Sequence, residues 1–443
     1  MRKAHFIISA VTLLLVCSSS KAQGFDQAKM DLFLDRIEQA DQGMGSIAIY
    51  SGDREVYRRA IGYANVEDEA KADVNTHYRI GSISKTFTAT LILQLVDEGR
   101  LNLDDKLDQF FPGIEKSDEI TIEYLLNHRS GVVNYFKRPG FIENMYQPIS
   151  EGDLLDAIID SGIEFEPGSQ YEYSNSNYVL LTWIVELASE ATYNDLIQNK
   201  ICEPCELSDT YVGDYVGARP NEAKSYFLND GWQHVPDRDL STALGAGNIV
   251  STASDVNKFL RCLLSSATLI KEETRDQMLV MQDGYGYGVF DVPFNGSTGY
   301  GHNGQIEGFL SNAYHFPELD VTIAYLGNGM VYPLNDILIG TLNIFLGRRF
   351  ELPEFGPDFE VSIETLDSYV GTYEAAGFPL DVDITRSGNR LVGQATGQGS
   401  FYLTAVSEVA FTFDSAGLKL TFMPDGTMKL EQMGNEVVFS KKE

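Results

Sequence analysis

The segment Thr86–Val96 is almost entirely apolar and stops at Gly99. It is too long for an ordinary strand, and the glycine suits a helix end, so the pattern predicts a helix buried on every side. Such a helix needs other elements packed all round it. A second is predicted from about Tyr178 to Ala188. Two of them demand a large shared core, and 443 residues are enough for two or three compact units.

The flanking pattern supplies the rest of the first unit. Residues 25–40 read as an amphipathic helix with Met30, Leu32, Phe33, Leu34 and Ile37 towards one side. Residues 46–50 and 55–61 read as two strands joined at Ser51-Gly52-Asp53. Strands are expected again over 297–326, with a hairpin at Pro317-Glu318-Leu319-Asp320, then a helix over 335–346. The proline-rich stretch 351–359 reads as a linker closing a unit that spans 23–350. From 360 to 443 the chain turns to short strands: Leu380, Val382 and Ile384 alternate with polar residues, and 411–413, 418–422 and 428–433 follow. Turns are expected at Ser387-Gly388-Asn389, Ser415-Ala416-Gly417 and Pro424-Asp425-Gly426. This tail predicts a small antiparallel barrel or sandwich.

The amino terminus reads differently. Arg2 and Lys3 precede a short apolar run from Phe6 to Val16, and Ser20-Lys21-Ala22 offers a cleavage site, so residues 1–22 are expected to be a removed signal peptide. The run is too short for a permanent span, which takes ~20 residues. The competing reading, a lipoprotein signal with Cys17 lipidated, is disfavoured by the bulky Val16 before it. The expected location is the periplasm or the medium, with no membrane span. A formal charge of -31, more negative still without Arg2, Lys3 and Lys21, repels nucleic acid and anionic surfaces.

Three cysteines remain after such a cleavage: Cys202, Cys205 and Cys262. The odd number argues against a disulfide framework. Cys202-Glu203-Pro204-Cys205 lacks a second CxxC for zinc, and its middle dipeptide is unlike redox motifs, so both cysteines are expected to be small buried hydrophobes. The six histidines are scattered, without HExxH, and no metal or other cofactor is expected.

Chemistry concentrates in three short segments. In Ser82-Ile83-Ser84-Lys85 a helix start places Ser82 and Lys85 one turn apart on one face. The serine's own N–H is free there, and a lysine on an apolar helix is pushed towards its neutral form. In Tyr173-Ser174-Asn175 an extended backbone aims the phenol and the amide at one pocket. In His302-Asn303-Gly304-Gln305 strand alternation puts His302 and Gly304 on one face, the glycine admitting substrate close to the backbone, and the N–H of Gln305 is a second oxyanion donor.

Taken in this order, the segments resemble the SxxK, YxN and K/HxG motifs of the serine β-lactamase and penicillin-binding-protein superfamily, with class C β-lactamases, DD-peptidases, esterases and D-aminopeptidases among its members. Tyr78-Arg79-Ile80-Gly81, Leu125-Leu126-Asn127-His128-Arg129-Ser130-Gly131 and Ala246-Gly247-Asn248-Ile249-Val250-Ser251-Thr252 look like its flanking phrases. The resemblance implies an α/β (α+β) fold, an antiparallel sheet flanked by helices with an all-helical half inserted. It implies Ser82 as acylated nucleophile, Lys85 as proton acceptor and Tyr173 as partner base or relay. Asn175, His302, Asn303 and Gly304 would bind substrate, with the N–H groups of Ser82 and Gln305 as the oxyanion hole. His128 is left outside the site, tying a loop. Leu366-Asp367-Ser368-Tyr369-Val370-Gly371-Thr372-Tyr373 looks like the opening of the lipocalin-like domain attached to many relatives, expected here to shield or shape the site, with an independent stability or binding module as the alternative.

One departure matters. His302 stands where class C enzymes have lysine and Asn303 where they usually have Thr or Ser. A neutral histidine pulls less on a substrate carboxylate. The expectation is therefore an esterase, D-amino-acid peptidase or DD-carboxypeptidase acting on a small molecule or short peptide, with at most weak β-lactam hydrolysis. The alternative is a non-catalytic sensor of peptidoglycan fragments or D-amino-acid peptides.

Overall fold

The computed structural model describes residues 25–213, 219–229, 231–355, 359–375, 380–396, 401–413, 418–432 and 435–442. The expected signal peptide, Cys17, the turn at 415–417 and part of the expected linker lie outside them.

A six-stranded antiparallel sheet organises the described residues up to 350, in the order Phe290–Phe294, Ser297–Ile306, Phe309–Phe316, Val321–Met330, Gly43–Ser51, Arg54–Ile61. The chain's first and last strands of this unit thus lie side by side at its centre, Ile47 opposite Tyr325 and Ile49 opposite Ile323. Alternation sorts their side chains. Ile47, Ile49 and Ile323 face one layer, where Met30, Phe33, Leu34 and Ile37 of helix Gln27–Gln39 meet Ile337 and Leu342 of helix Leu334–Phe345. Those four residues of the first helix follow an i, i+3, i+4, i+7 stripe; Leu32 falls off it and is exposed.

The other face carries small residues. Ala48, Ala313 and Ala324 lie in register there. Their size lets helix Ala253–Leu264 approach until Asn257 Nδ2 donates to the carbonyl of Ala48 at 2.8 Å. Beyond it lies the helical half, built around Ser84–Asp97 and Asn175–Ser189. The first of these is buried all round, as the apolar run predicts, but its hydroxyls are not idle. Ser84 Oγ accepts from the N–H of Ile249 (3.0 Å), and Thr86 and Thr88 donate to the carbonyls of Gly288 and Gly245, each at 2.7 Å. Two surrounding segments, the stretch 245–249 and the one holding Gly288, are pinned to the helix in this way.

The cysteine expectation is corrected. Cys205 and Cys262 form a disulfide across 57 residues, with Cα atoms 5.9 Å apart. The bridge joins residues distant in sequence, so the local CxxC spacing gave no sign of it. Cys202 alone is the buried hydrophobe, its thiol pushed up to about 12 by burial. Cys262→Ser should lower the unfolding free energy by about 2–4 kcal/mol in urea titrations. Thiol titration of the unfolded, unreduced chain from residue 25 onward should find one thiol; three thiols, with an unchanged midpoint for the variant, would refute the bridge.

Among the described residues from 359 onward, nine strands form a second, antiparallel sheet, with a core of their own that includes Leu366, Tyr373, Leu391, Leu420, Met428 and Phe439. Its two edge strands, Phe401–Tyr402 and Thr404–Ala405, are separated in sequence only by Leu403. The edges must therefore lie together, and the sheet curls into a nearly closed barrel. Ser387, the last residue of strand Val382–Ser387, reaches Asn229 of the first unit at 3.4 Å. Among the described residues no helix is long and apolar enough to cross a membrane.

Candidate active site

Ser82 lies in a short 3-10 turn, Gly81–Ile83, leading into helix Ser84–Asp97. Gly81 permits this turn in two ways. Its φ is +53°, and a Cβ there would stand 2.8 Å from the amide nitrogen of Gln305. The Ser82 turn and the strand Ser297–Ile306 are thus in backbone contact. Gly304 has the same cause: a Cβ would meet the carbonyl oxygen of Ile80 at 2.0 Å. The expectation that this glycine admits substrate is replaced by a different reason, since the protein's own turn fills that space.

Strand Phe290–Phe294 ends opposite Gly301, so no described strand pairs with residues 302–306 on that side. This free edge faces the Ser82 turn at Gln305. Asn303 and Gln305 are exposed along it, while His302 and Gly304 point inward.

Lys85 has no exposed surface, and among the described residues no carboxylate pairs with it. Burial holds its amine well below the ordinary lysine range. Its Nζ makes three short contacts: Asn175 Oδ1 at 2.8 Å, the carbonyl of Ala246 at 2.7 Å and Ser82 Oγ at 3.0 Å. A neutral amine has two N–H donors and one lone pair. The two carbonyl-type oxygens take the donors, which leaves the lone pair for the hydroxyl proton of Ser82. The geometry leaves Lys85 able to take the Ser82 proton.

Tyr173 places its ring centroid 4.9 Å from Lys85 Nζ, and its hydroxyl lies near enough to Ser82 to feel it. Burial raises its pKa far enough that it stays a neutral phenol. Asn175 is not in extended backbone as the sequence suggests; Ser174 precedes the helix and Asn175 opens it. Both side chains nevertheless converge on Lys85, because Tyr173 comes in from the loop and Asn175 from the first helical turn.

His302 sits behind this group, its ring 6.4 Å from that of Tyr173. Its Nδ1 faces the carbonyl of Asn303 and so carries the proton, leaving Nε2 to accept from Tyr285 at 3.2 Å. Burial and the nearby Lys85 push its pKa down to about 3. It is neutral and enclosed. His128 Nδ1 accepts from the N–H of Ser174 and the amide of Asn177, both at 3.2 Å, and its ring lies 4.3 Å from Tyr173. It ties the loop that carries Tyr173. Sequence reasoning missed Tyr285, whose only signal is the Gly-Tyr repeat at 284–288, and the Ala246 carbonyl, which no side chain announces.

Residues 33–340 match the protein family described as Beta-lactamase. Penicillin-binding protein 4* of Bacillus subtilis (strain 168) is 25% identical over 423 residues, 89% of this chain and 93% of that protein. An octameric penicillin-binding protein homologue from Pyrococcus abyssi superposes with a TM-score of 0.65 at 25% identity, covering 93% of this chain and 100% of that one. A D-stereospecific amidohydrolase from Streptomyces sp. superposes with a TM-score of 0.62 at 25% identity, covering 72% and 99%. The match spans both the sheet and the helical half that hold Ser82, Lys85, Tyr173 and His302, and the chain belongs to the beta-lactamase family of serine hydrolases.

Proposed function

We propose that the chain is an exported hydrolase that opens an ester or amide of a D-amino-acid type substrate through an acyl-enzyme on Ser82. The observation that carries this is the pairing of the Lys85 lone pair with the Ser82 hydroxyl at 3.0 Å. Lys85 takes the Ser82 proton as Oγ attacks the carbonyl carbon, and the N–H groups of Ser82 and Gln305 hold the resulting oxyanion. Tyr173, kept protonated by burial, gives its proton to the leaving oxygen or nitrogen, and the Lys85 ammonium restores it. Water then attacks the acyl carbonyl, passes its proton to the same pair, and Ser82 departs as the hydroxyl.

Asn175 spends its Oδ1 on Lys85, so its Nδ2 is left for a substrate carbonyl, and the exposed Asn303 contacts substrate along the free edge. His302 serves from behind. Because it is neutral and held by Tyr285, it offers no charge to a carboxylate, which favours uncharged amides and esters over β-lactams and D-Ala-D-Ala termini. The D-stereospecific amidohydrolase among the similar structures supports the amide reading. The disulfide and the amino-terminal sequence support export.

The test is a panel of p-nitrophenyl acetate, D-alanine amide and nitrocefin, with nitrocefin expected to be the poorest. On the best substrate, kcat/KM should climb with pH as Lys85 loses its proton and level off well below the ordinary lysine range. A rate still climbing steeply near pH 10 would mean that burial does not hold Lys85 neutral in the ordinary working range.

A further inference from the structure

The two oxyanion donors come from different parts of the chain, and a buried ionic knot lies beside both. Arg79 is three residues before Ser82, and Glu307 is two residues after Gln305. Arg79 Nη1 stands 3.4 Å from Glu307 Oε2, with side chains only 3% and 1% exposed. Arg238 binds the other carboxylate oxygen through Nε, and Arg79 also donates to the Arg238 carbonyl at 2.9 Å. Two guanidiniums thus face the one buried carboxyl group of Glu307.

Glu307 sits in the two-residue turn between Ile306 and Phe309, paired across the hairpin, with φ +46°. Glycine or asparagine adopts that conformation more easily. A glutamate there is strained, and its buried carboxylate holds two guanidiniums in return. Such an arrangement is weak as a source of net stability and strong as a way of fixing relative position. Here the relative position is that of the Ser82 turn and the Gln305 edge, which touch directly at Gly81.

We propose that Glu307, clamped by Arg79 and Arg238, is a positioning residue that sets the spacing of the two oxyanion N–H groups. This rests on the acyl-enzyme reading of Ser82. A shift of a fraction of an ångström between the donors weakens the hold on a tetrahedral oxyanion far more than the hold on a planar substrate.

The test uses Glu307→Gln in the full chain, with Arg238→Lys as a second variant should the first not fold by circular dichroism. Turnover of the best panel substrate and affinity for phenylboronic acid, which forms a tetrahedral adduct on serine, are measured together. Both should fall in parallel, on the order of 10- to 100-fold. Substrate affinity, measured with Ser82→Ala added to suppress turnover, should stay within about threefold. Glu307→Asp, which keeps the charge, should recover part of the loss. Unchanged turnover and boronate affinity in a folded variant overturn the clamp, and so does a loss that falls on substrate affinity alone. Retention of full activity by Ser82→Ala by itself overturns the underlying reading instead.

Discussion

Ser82→Ala is expected to reduce kcat at least about 10⁴-fold and to abolish covalent labelling by a fluorophosphonate or penicillin probe. The size follows from the site's construction. Lys85 and Tyr173 face this one hydroxyl, Asn175 holds Lys85 in place, and none of the three is itself placed as a nucleophile with a base. What would remain is an oxyanion hole without an attacking atom. The variant should fold normally, because Ser82 makes no capping bond at its turn and is only half-buried. A surface-like change of that kind moves stability by about 0.5 kcal/mol or less. Persistent labelling in the variant would sink the assignment. Binding of D-amino-acid peptides by the unmodified protein, with no labelling at all, would favour the sensor alternative.

Where the chain's chemistry is local, it was legible. Ser82 and Lys85 are one helical turn apart, and His302 and Gly304 alternate along one strand, so periodicity alone groups each pair. The buried helix was legible because an apolar run of that length has few other uses. What required the folded chain was long-range. The Cys205–Cys262 bridge spans 57 residues and follows from how helix Ala253–Leu264 packs, not from spacing. The same holds for the Ala246 carbonyl on Lys85 and for the Arg79–Glu307 pair. Gly304 shows a subtler gap. Its presence was read correctly as a need for close approach, but only the fold shows that Ile80 is what approaches. Tyr173 and Asn175 converge for a reason other than extended-strand geometry, since a helix starts between them. In the carboxy-terminal unit, strands Arg390–Ala395 and Asn435–Lys441 went unread because their alternation is blurred by glycine and charged residues.

The second large effect concerns Lys85, and it is readable twice, once in kinetics and once in stability. Lys85→Met should cost about 10²–10⁴-fold in kcat/KM, since methionine fills the space without a lone pair for the Ser82 proton. Lys85→Arg should fare no better despite its donors, because a guanidinium does not lose its proton. The stability consequence has a definite sign. In the folded chain burial lowers the amine's pKa well below its unfolded value near 10.5. Between those two values the unfolded state binds one more proton than the native state. Lys85 therefore opposes folding at the acid side of that window, and the penalty fades as pH rises towards 10.5. Lys85→Met removes this linkage while leaving Asn175 Oδ1 and the Ala246 carbonyl without a donor, a loss that does not depend on pH. The difference in unfolding free energy, native minus variant, should accordingly rise by about 1.4 kcal/mol per pH unit inside the window and be flat below it. Urea titrations from pH 6 to 10 measure that slope. A flat difference throughout would mean that Lys85 keeps its proton in the folded protein, and the ammonium would then have no lone pair with which to start the reaction.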